Sequence, residues 1–383
     1  MTPAERYLEL GLRLGKHVDG LVDAYYGPAE LQLQVDAEER LDPAQLAADG
    51  DALAAELADG WLRDQVRGCA TYARVLAGVE MSYADEVEGC YGVRPTLTPE
   101  GVYEAVHAEL DELLPGDGSL YERRQAWRTR YLVDGAAAVP VLMDLLPVLR
   151  ERTLEIVDLP DGEDLTIEPV SDEPWWAFNY YLGDLRSRVV LNTDVPTAAR
   201  DLIHLAAHEV YPGHHTEHAV KEQLLIRDRG AIEEGIQLVP TPQAVVSEGI
   251  AETGPDIALA GEGRTAAYRV LAKHGFDLDP DLSERIWETL EGLRTVGLDA
   301  ALMIQEGGAS QEDAQAYIER WNLVPPEQAA HSVRFATDPT WRAYVVTYSA
   351  GRDLCRAYAN GDPGRFRSLL TERVRVGDLR ASL

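Results

Sequence analysis

Apolar residues recur at three- and four-residue intervals over most of the first 158 positions, for example at Leu8 and Leu12 and again at Val75, Val79 and Tyr83. That spacing places them on one face of an α-helix. Breaks fall at Tyr26-Gly27-Pro28, at Gly92 to Pro95 and at Leu114 to Ser119. Thr98-Pro99-Glu100 reads as an N-cap followed by proline at the first helical position. After Asp158 the period shortens to two: Leu165, Ile167 and Pro169 alternate with polar residues, as do Val189 and Leu191 in SRVVLNT. Alternation of this kind, bounded by turn formers, predicts one small sheet. From about Pro196 the helical spacing returns and runs to the end, interrupted at Pro212-Gly213, Gly254-Pro255, Gly307-Gly308 and Asn360-Gly361. The pattern predicts a mainly α protein with a small β element. Residues 1–158 form an N-terminal helical part, and residues 159–383 carry the chemistry, the two making one catalytic unit.

Composition narrows the function. With 383 residues, 45% hydrophobic and 26% charged, the chain can bury a sizeable core and is neither disordered nor fibrous. The net charge of -31 disfavours nucleic-acid backbones and anionic membranes, whose phosphates require Lys and Arg. The opening MTPAERYLELGLRLGKHVDG is amphipathic and interrupted by charges, unlike a signal peptide. The most apolar stretch of the whole chain, AAAVPVLMDLLPVL, is broken by Pro140, Asp144 and Pro147 and is too short for a membrane span. Cys69, Cys90 and Cys355 are an odd set without metal-like spacing, which suits reduced core thiols. Together these features lead to the expectation of a soluble cytoplasmic protein.

The segment HLAAHEVYPGHH gathers His204, His208, His214 and His215, with His218 just beyond and the carboxylates Glu209 and Glu217 alongside. Two histidines four apart on one helix, with a glutamate between them, form a zinc-hydrolase signature. Here the fourth residue after His208 is Pro212, which has no donor atom and drives Tyr211 out of the helical region. Two arrangements remain open. His204 and His208 form an i to i+4 pair. Alternatively the Pro-Gly break turns the chain back, so that His214 or His215 shares an ion with His208. On an unbroken helix seven residues would span about 10.5 Å, too far for one ion.

VSEGIAETG supplies a third donor. Thr241-Pro242 reads as the start of a helix, with Glu248 near its middle and Glu252 on the same face. One carboxylate can be a ligand while the other orients a histidine ring. Such a pair on its own is most often a solvated helix face, and it gains weight only beside the histidine cluster.

HEVYPGHH followed by SEGIAE resembles the bacterial domain-of-unknown-function family 885, with its His-Glu-x-x-Pro-Gly-His-His string and later Glu-Gly-x-Ala, a group similar to zincin metallopeptidases. The likeness extends to Asn192-Thr193, to ELDELLPGDGSLYERR, and to Tyr348 with Gly351 in TYSAGRDL, spanning most of residues 80–358. It implies a zincin-like multi-helix architecture and a single Zn²⁺ held by His208, His214 and Glu248, with His215 as the alternative to His214. It also implies Glu209 as the general base that takes a proton from the zinc-activated water and passes it to the leaving amine.

Hydrolysis of an amide needs a donor for the developing oxyanion. Asp338-Pro339 opens a predicted helix to Tyr358 on which Tyr344, Tyr348 and Arg352 share a face. Tyr348 is the candidate oxyanion donor and Arg352 a candidate clamp for a substrate carboxylate. Against this stand a core role for Tyr348 and an ion pair for Arg352. SRVVLNT is a candidate edge strand for an extended peptide, and Trp175, Trp176, Tyr180 and Tyr181 either line a subsite or belong to the core. The expected function is a zinc metallopeptidase acting on short peptides or a chain end. The rivals are a non-catalytic metal- or ligand-binding protein on the same scaffold and a metal amidohydrolase acting on non-peptide amides.

Overall fold

Local signals start the first helix, and a short strand late in the chain receives it. In the computed structural model, which describes residues 1–173 and 175–382, helix Pro3–Gly15 opens on Thr2. The Thr2 side chain accepts from the Glu5 amide while Glu5 reaches back to the Thr2 amide. This reciprocal cap satisfies two otherwise free amides. The buried face, with Tyr7, Leu8 and Leu14, presents Gly11 to strand Ile236–Leu238. A Cβ at Gly11 would stand 2.8 Å from Ile236 Cδ1 and from Leu238 Cδ1. Ile236–Leu238 pairs antiparallel with Val22–Tyr25. The N-terminal part is thereby tied to the chain just ahead of helix Pro242–Ala258, which carries Glu248 and Glu252.

The period-two segments do form a sheet. Leu165, Ile167 and Pro169 lie opposite Ser187, Val189 and Leu191 in a parallel pair, and Ala177–Gly183 pairs antiparallel on the other side. Arg186–Asn192 is therefore the central strand, which corrects the expectation that SRVVLNT offers a free edge. The reason is visible in its burial: Val189, Val190 and Leu191 are all inaccessible, as in a strand covered on both faces. The sheet edge on the cavity side belongs to Ala177–Gly183.

The mainly helical character and the small sheets match the pattern read from the sequence. One helix start shifts under tertiary demand. The segment after Thr98 begins at Glu100, with Pro99 at the cap. The Thr98 amide instead donates to the buried Asp299 at 3.1 Å, and its hydroxyl to Thr295 at 2.9 Å. Three large apolar clusters fill the interior, and each draws residues from both sides of position 158. Cys69, Cys90 and Cys355 are free and buried, in keeping with core thiols.

Helix Pro242–Ala258 is crossed at backbone distance by the turn Thr347–Gly351 and the helix Arg352–Ala359 that follows it. A Cβ at Gly249 would lie 2.3 Å from the Gly351 carbonyl oxygen and 2.5 Å from Cys355 Sγ. One at Gly351 would lie 2.2 Å from the Val245 carbonyl. These are separations that real side chains do not adopt, and backbone on the facing segment cannot give way cheaply. Gly249→Ala is expected to destabilise the protein by about 1–3 kcal/mol or more, the range for overpacking. A lowered urea midpoint with unchanged slope is the signature; a midpoint equal to that of the parent protein would show that the crossing tolerates a methyl group.

Candidate metal centre

Helix Ala199–Glu209 ends at Glu209; Val210 leaves the helical region at φ −124° and ψ −84°, and a second helix begins at His214. Between them the chain folds back on itself. The Gly213 amide donates to Ala207 O at 2.9 Å, and the Thr216 amide and hydroxyl donate to Val210 O at 3.2 and 3.0 Å. A Cβ at Gly213 would stand 1.7 Å from the His208 carbonyl oxygen, so only glycine fits this close approach. The turn brings the His214 ring beside that of His208, with centroids 4.8 Å apart.

His208, His214 and Glu248 offer donor atoms all within 4.8 Å of one another. His208 Nε2 lies 3.6 Å from Glu248 Oε2 and His214 Nε2 lies 3.9 Å from Glu248 Oε1. Two ligand atoms bound at tetrahedral zinc distances are about 3.4 Å apart, so the spacing suits one ion with little adjustment. Glu248 Oε2 is buried without a hydrogen-bond partner, a vacancy in bonding that a ligand role would fill. Burial raises the Glu248 carboxyl to about 7, with His208 and the Tyr344 hydroxyl pulling against it. Burial likewise depresses His214 well below its ordinary value and His218 to about 4, leaving both rings neutral and able to donate a lone pair. His208 differs. Burial lowers its pKa, but Glu252, Glu209 and Glu248 outweigh that and lift it to about 9. Carboxylates around His208 thus create a strong demand for positive charge at the centre of the cluster.

A second grouping, His204 with His208 and Glu252, is also close enough to share an ion, and the charge of Arg294 argues against it. The Arg294 guanidinium contacts Glu252 Oε2 directly. Burial opposes ionisation of Glu252, yet Arg294 and His204 outweigh it and hold the carboxyl well below its usual range. A cation next to a metal would repel it, whereas Arg294 suits a carboxylate that stands behind the metal ligand. Glu252 Oε1 lies 3.3 Å from His208 Nδ1, and a carboxylate there orients the ring so that Nε2 faces Glu248. His204 stacks near Trp287, centroids 4.9 Å apart, behind the site.

His215, the alternative to His214, points away. Its Nδ1 lies 2.8 Å from Ser187 Oγ and its Nε2 2.9 Å from Glu163 Oε2. Both ring nitrogens are engaged, the ring is fully buried, and Glu163 is further held by Tyr211 and Arg150. Although Ser187, His215 and Glu163 follow the order of a hydrolase triad, Ser187 is 3% exposed and no substrate reaches it. The trio anchors the second helix to the sheet.

A cavity of about 440 Å³ opens on the centre, lined by His208, His214, Glu209 and Glu248 together with Tyr348. Burial raises the Glu209 carboxyl, as befits a base facing a nonaqueous wall, and its main-chain carbonyl accepts from Asn179 Nδ2 at 2.6 Å. Tyr348 sits on a widened helical turn, 38% exposed. A tyrosine phenol is protonated at neutral pH, so Tyr348 is available there as a proton donor. Tyr344 donates to Glu248 Oε1 at 2.6 Å and steers that carboxylate. Arg352 is not on the cavity wall. It is 9% exposed and paired with Glu291 at 2.8 Å, which corrects its assignment as a substrate clamp. The expected continuous helix from Asp338 to Tyr358 is replaced by turns over residues 339–344, and the helical backbone begins at Val345. Of the aromatic residues, Trp175 and Tyr180 face the cavity. Tyr181 is buried against Glu222, and Trp176 donates to Thr197. Asp23, Asn179 and Tyr344 have roles at the site that were not foreseen. Two of them left a trace in the sequence, Tyr344 by its spacing from Tyr348 and Asp23 as a charge between apolar neighbours in VDAY.

No family model matches the chain, and no curated protein does. Two solved structures share the fold. A "putative lipoprotein" from Colwellia psychrerythraea superposes with a TM-score of 0.53 at 15% identity, over 97% of this chain and 65% of that one. A "putative lipoprotein of unknown function" from Shewanella oneidensis gives 0.53 at 13%, over 92% and 69%. This chain therefore spans a little under two thirds of the first. These findings overturn the resemblance to family 885 as an assignment: no family model supports it, and the structural neighbours are described as putative lipoproteins, one of them of unknown function. They also overturn the expectation of a cytoplasmic protein, because both neighbours are described as putative lipoproteins. Identity this low carries the fold alone, so no other compartment is assigned. No helix among the described residues is long and apolar enough to cross a membrane.

Metal analysis of a histidine panel tests the geometry. His208→Ala and His214→Ala are expected to lose bound zinc. His204→Ala and folded His215→Ala are expected to keep about one ion per chain, as for a mononuclear site. Zinc retained by His214→Ala and lost by His204→Ala would move the site to the other grouping.

Proposed function

We propose that this chain is a zinc-dependent hydrolase of zincin-like design, acting as a metallopeptidase on short peptides or a chain end. One observation carries the reading: three donors converge on a cavity in which Glu209, the residue after ligand His208, stands as an uncommitted carboxylate. His208, His214 and Glu248 would hold the ion, which supplies a Lewis acid and lowers the pKa of adjacent water toward roughly 7.

The remaining roles belong to the chain itself. Glu209 accepts the proton of the attacking water and returns it to the leaving nitrogen, a task suited to a carboxyl raised by burial. Tyr348 donates its hydroxyl hydrogen toward the oxyanion that develops on the former carbonyl. Tyr344 fixes the Glu248 carboxylate, and Glu252 with Arg294 fixes His208. The small cavity admits a short peptide or amide and excludes a folded protein. A non-peptide amide would engage the same groups, and a substrate screen separates the two classes. A non-catalytic binder would have no use for a base placed beside its ligands, and the retention of Glu209 counts against that reading.

Glu209→Gln should retain about one zinc ion and the parent unfolding midpoint while losing turnover by ~10²–10⁴-fold, the usual share of general acid–base catalysis. Peptide hydrolysis at the parent rate by a zinc-loaded, well-folded variant would remove Glu209 from the mechanism.

A further inference from the structure

We propose that the cavity is a receptor for a cationic amine, with Asp23 as the carboxylate that holds the ammonium group of the substrate. The inference rests on the hydrolase reading for its biological meaning and names the substrate class: short peptides or amides with a free amino group.

The first argument is charge. The cavity wall carries the carboxylates of Asp23, Glu209 and Glu248, and no Lys or Arg among the described residues. Cations nearby are committed elsewhere. Arg294 contacts Glu252 and Glu291, Arg352 pairs with Glu291, and Lys221 pairs with Glu217 at 2.6 Å. Arg188 stacks on the Tyr180 ring at 4.8 Å and faces Glu168. A divalent ion bound at the centre offsets Glu248 and Glu209. Asp23, an exposed side chain on the cavity wall, is then left as an acid with no Lys or Arg beside it on that wall, and a monovalent cation is its natural counterpart.

The second argument is the rest of the wall. Asn179 is 8% exposed, and its Oδ1 has no hydrogen-bond partner because Nδ2 is turned to the Glu209 carbonyl. It is a buried acceptor on the cavity wall with no donor. An ammonium carries three donors and no acceptor, so it complements both Asp23 and Asn179. Trp175, Trp341 and Tyr348 add aromatic faces to the same wall, and such faces attract cations through the ring quadrupole. A substrate carboxylate at this place would meet the charge of Asp23 and no Lys or Arg on the wall. Asp23 sits at the irregularity between Val22 and Ala24 in the pairing of Val22–Tyr25 with Ile236–Leu238, a place where a strand re-aims a side chain, well separated in sequence from His208, His214 and Glu248.

The test uses the full zinc-loaded chain and two measurements. The first compares hydrolysis of one short peptide with its amino terminus free or acetylated. The parent protein should favour the free amine by about tenfold or more in kcat/KM, the value of one charge-assisted contact, and Asp23→Asn should bring the ratio near unity. The second is calorimetric binding of benzylammonium against benzyl alcohol, which needs no turnover; the parent should prefer the cation by a similar factor and Asp23→Asn should not. Asp23→Ser serves where the first variant unfolds. Equal handling of the two peptides, or a preference that survives both substitutions, would overturn the inference while leaving the hydrolase reading intact. Selective, Asp23-dependent binding of benzylammonium by a protein that hydrolyses neither peptide would support the receptor and sink the hydrolase reading instead.

Discussion

The close approach of Gly213 to the His208 carbonyl is the constraint on which the site depends. Pro212 ends one helix and Gly213 starts the next, and the two helices meet so tightly that a methyl group would overlap backbone. Without that contact His214 would lie more than a turn away from His208, and the three donors would not converge. The turn is secured from both sides. Thr216 caps the Val210 carbonyl with two hydrogen bonds, and His215 ties the second helix to the sheet through Ser187 and Glu163. The adjacent histidines thus divide the work: one ring turns toward the cavity and the next, about 100° around the helix, turns into the core.

Electrostatics then sorts the buried carboxylates. Glu217 has Lys221 and Ser247, Glu252 has Arg294, Glu163 has Arg150 and His215, and Glu222 has Arg227. Each is a buried acid with a nearby cation or donor, as burial of charge requires. Glu209, Glu248 and Asp23 have no Lys or Arg partner among the described residues, and all three line the same cavity, Asp23 as an exposed side chain. Burial raises the carboxyls of Glu209 and Glu248, which is the physical expression of charges lacking a cationic counterpart. The protein balances its structural acids internally and leaves the cavity acids to be balanced by what enters.

Much of this was legible in the sequence, for reasons that can be named. Pro212 could only end a helix, and the helix-compatible spacing of Glu248 and Glu252 placed them on one face. Both follow from local backbone rules. The choice of His214 over His215 was not legible, because it depends on the rotation of the second helix, which Ser187 and Glu163 fix from distant segments. Arg352 and the central position of Arg186–Asn192 were misread for the same reason: an ion-pair partner at Glu291 and a strand neighbour at Ala177–Gly183 are tertiary facts. Asp23 lies 185 residues before His208, and only the pairing of Val22–Tyr25 with Ile236–Leu238 brings it to the cavity.

That dispersal has a consequence for how the site forms. Its parts come from Val22–Tyr25, Ala177–Gly183, the two helices around Gly213, helix Pro242–Ala258 and the Tyr344–Tyr348 turn. These segments belong to two of the main apolar clusters, and the Gly249–Gly351 crossing locks two of them together. Before those clusters close, the carboxylates are far apart and hydrated, and their mutual repulsion is slight. Closing the core brings Glu209, Glu248 and Glu252 around His208, so packing opposes electrostatic strain. A cation entering the site relieves that strain in the folded chain alone, which makes its binding free energy part of the stability of the fold. The same residues that give the cavity its chemistry therefore set a cost on assembling it, offset by the tight glycine contacts and the anchored His215.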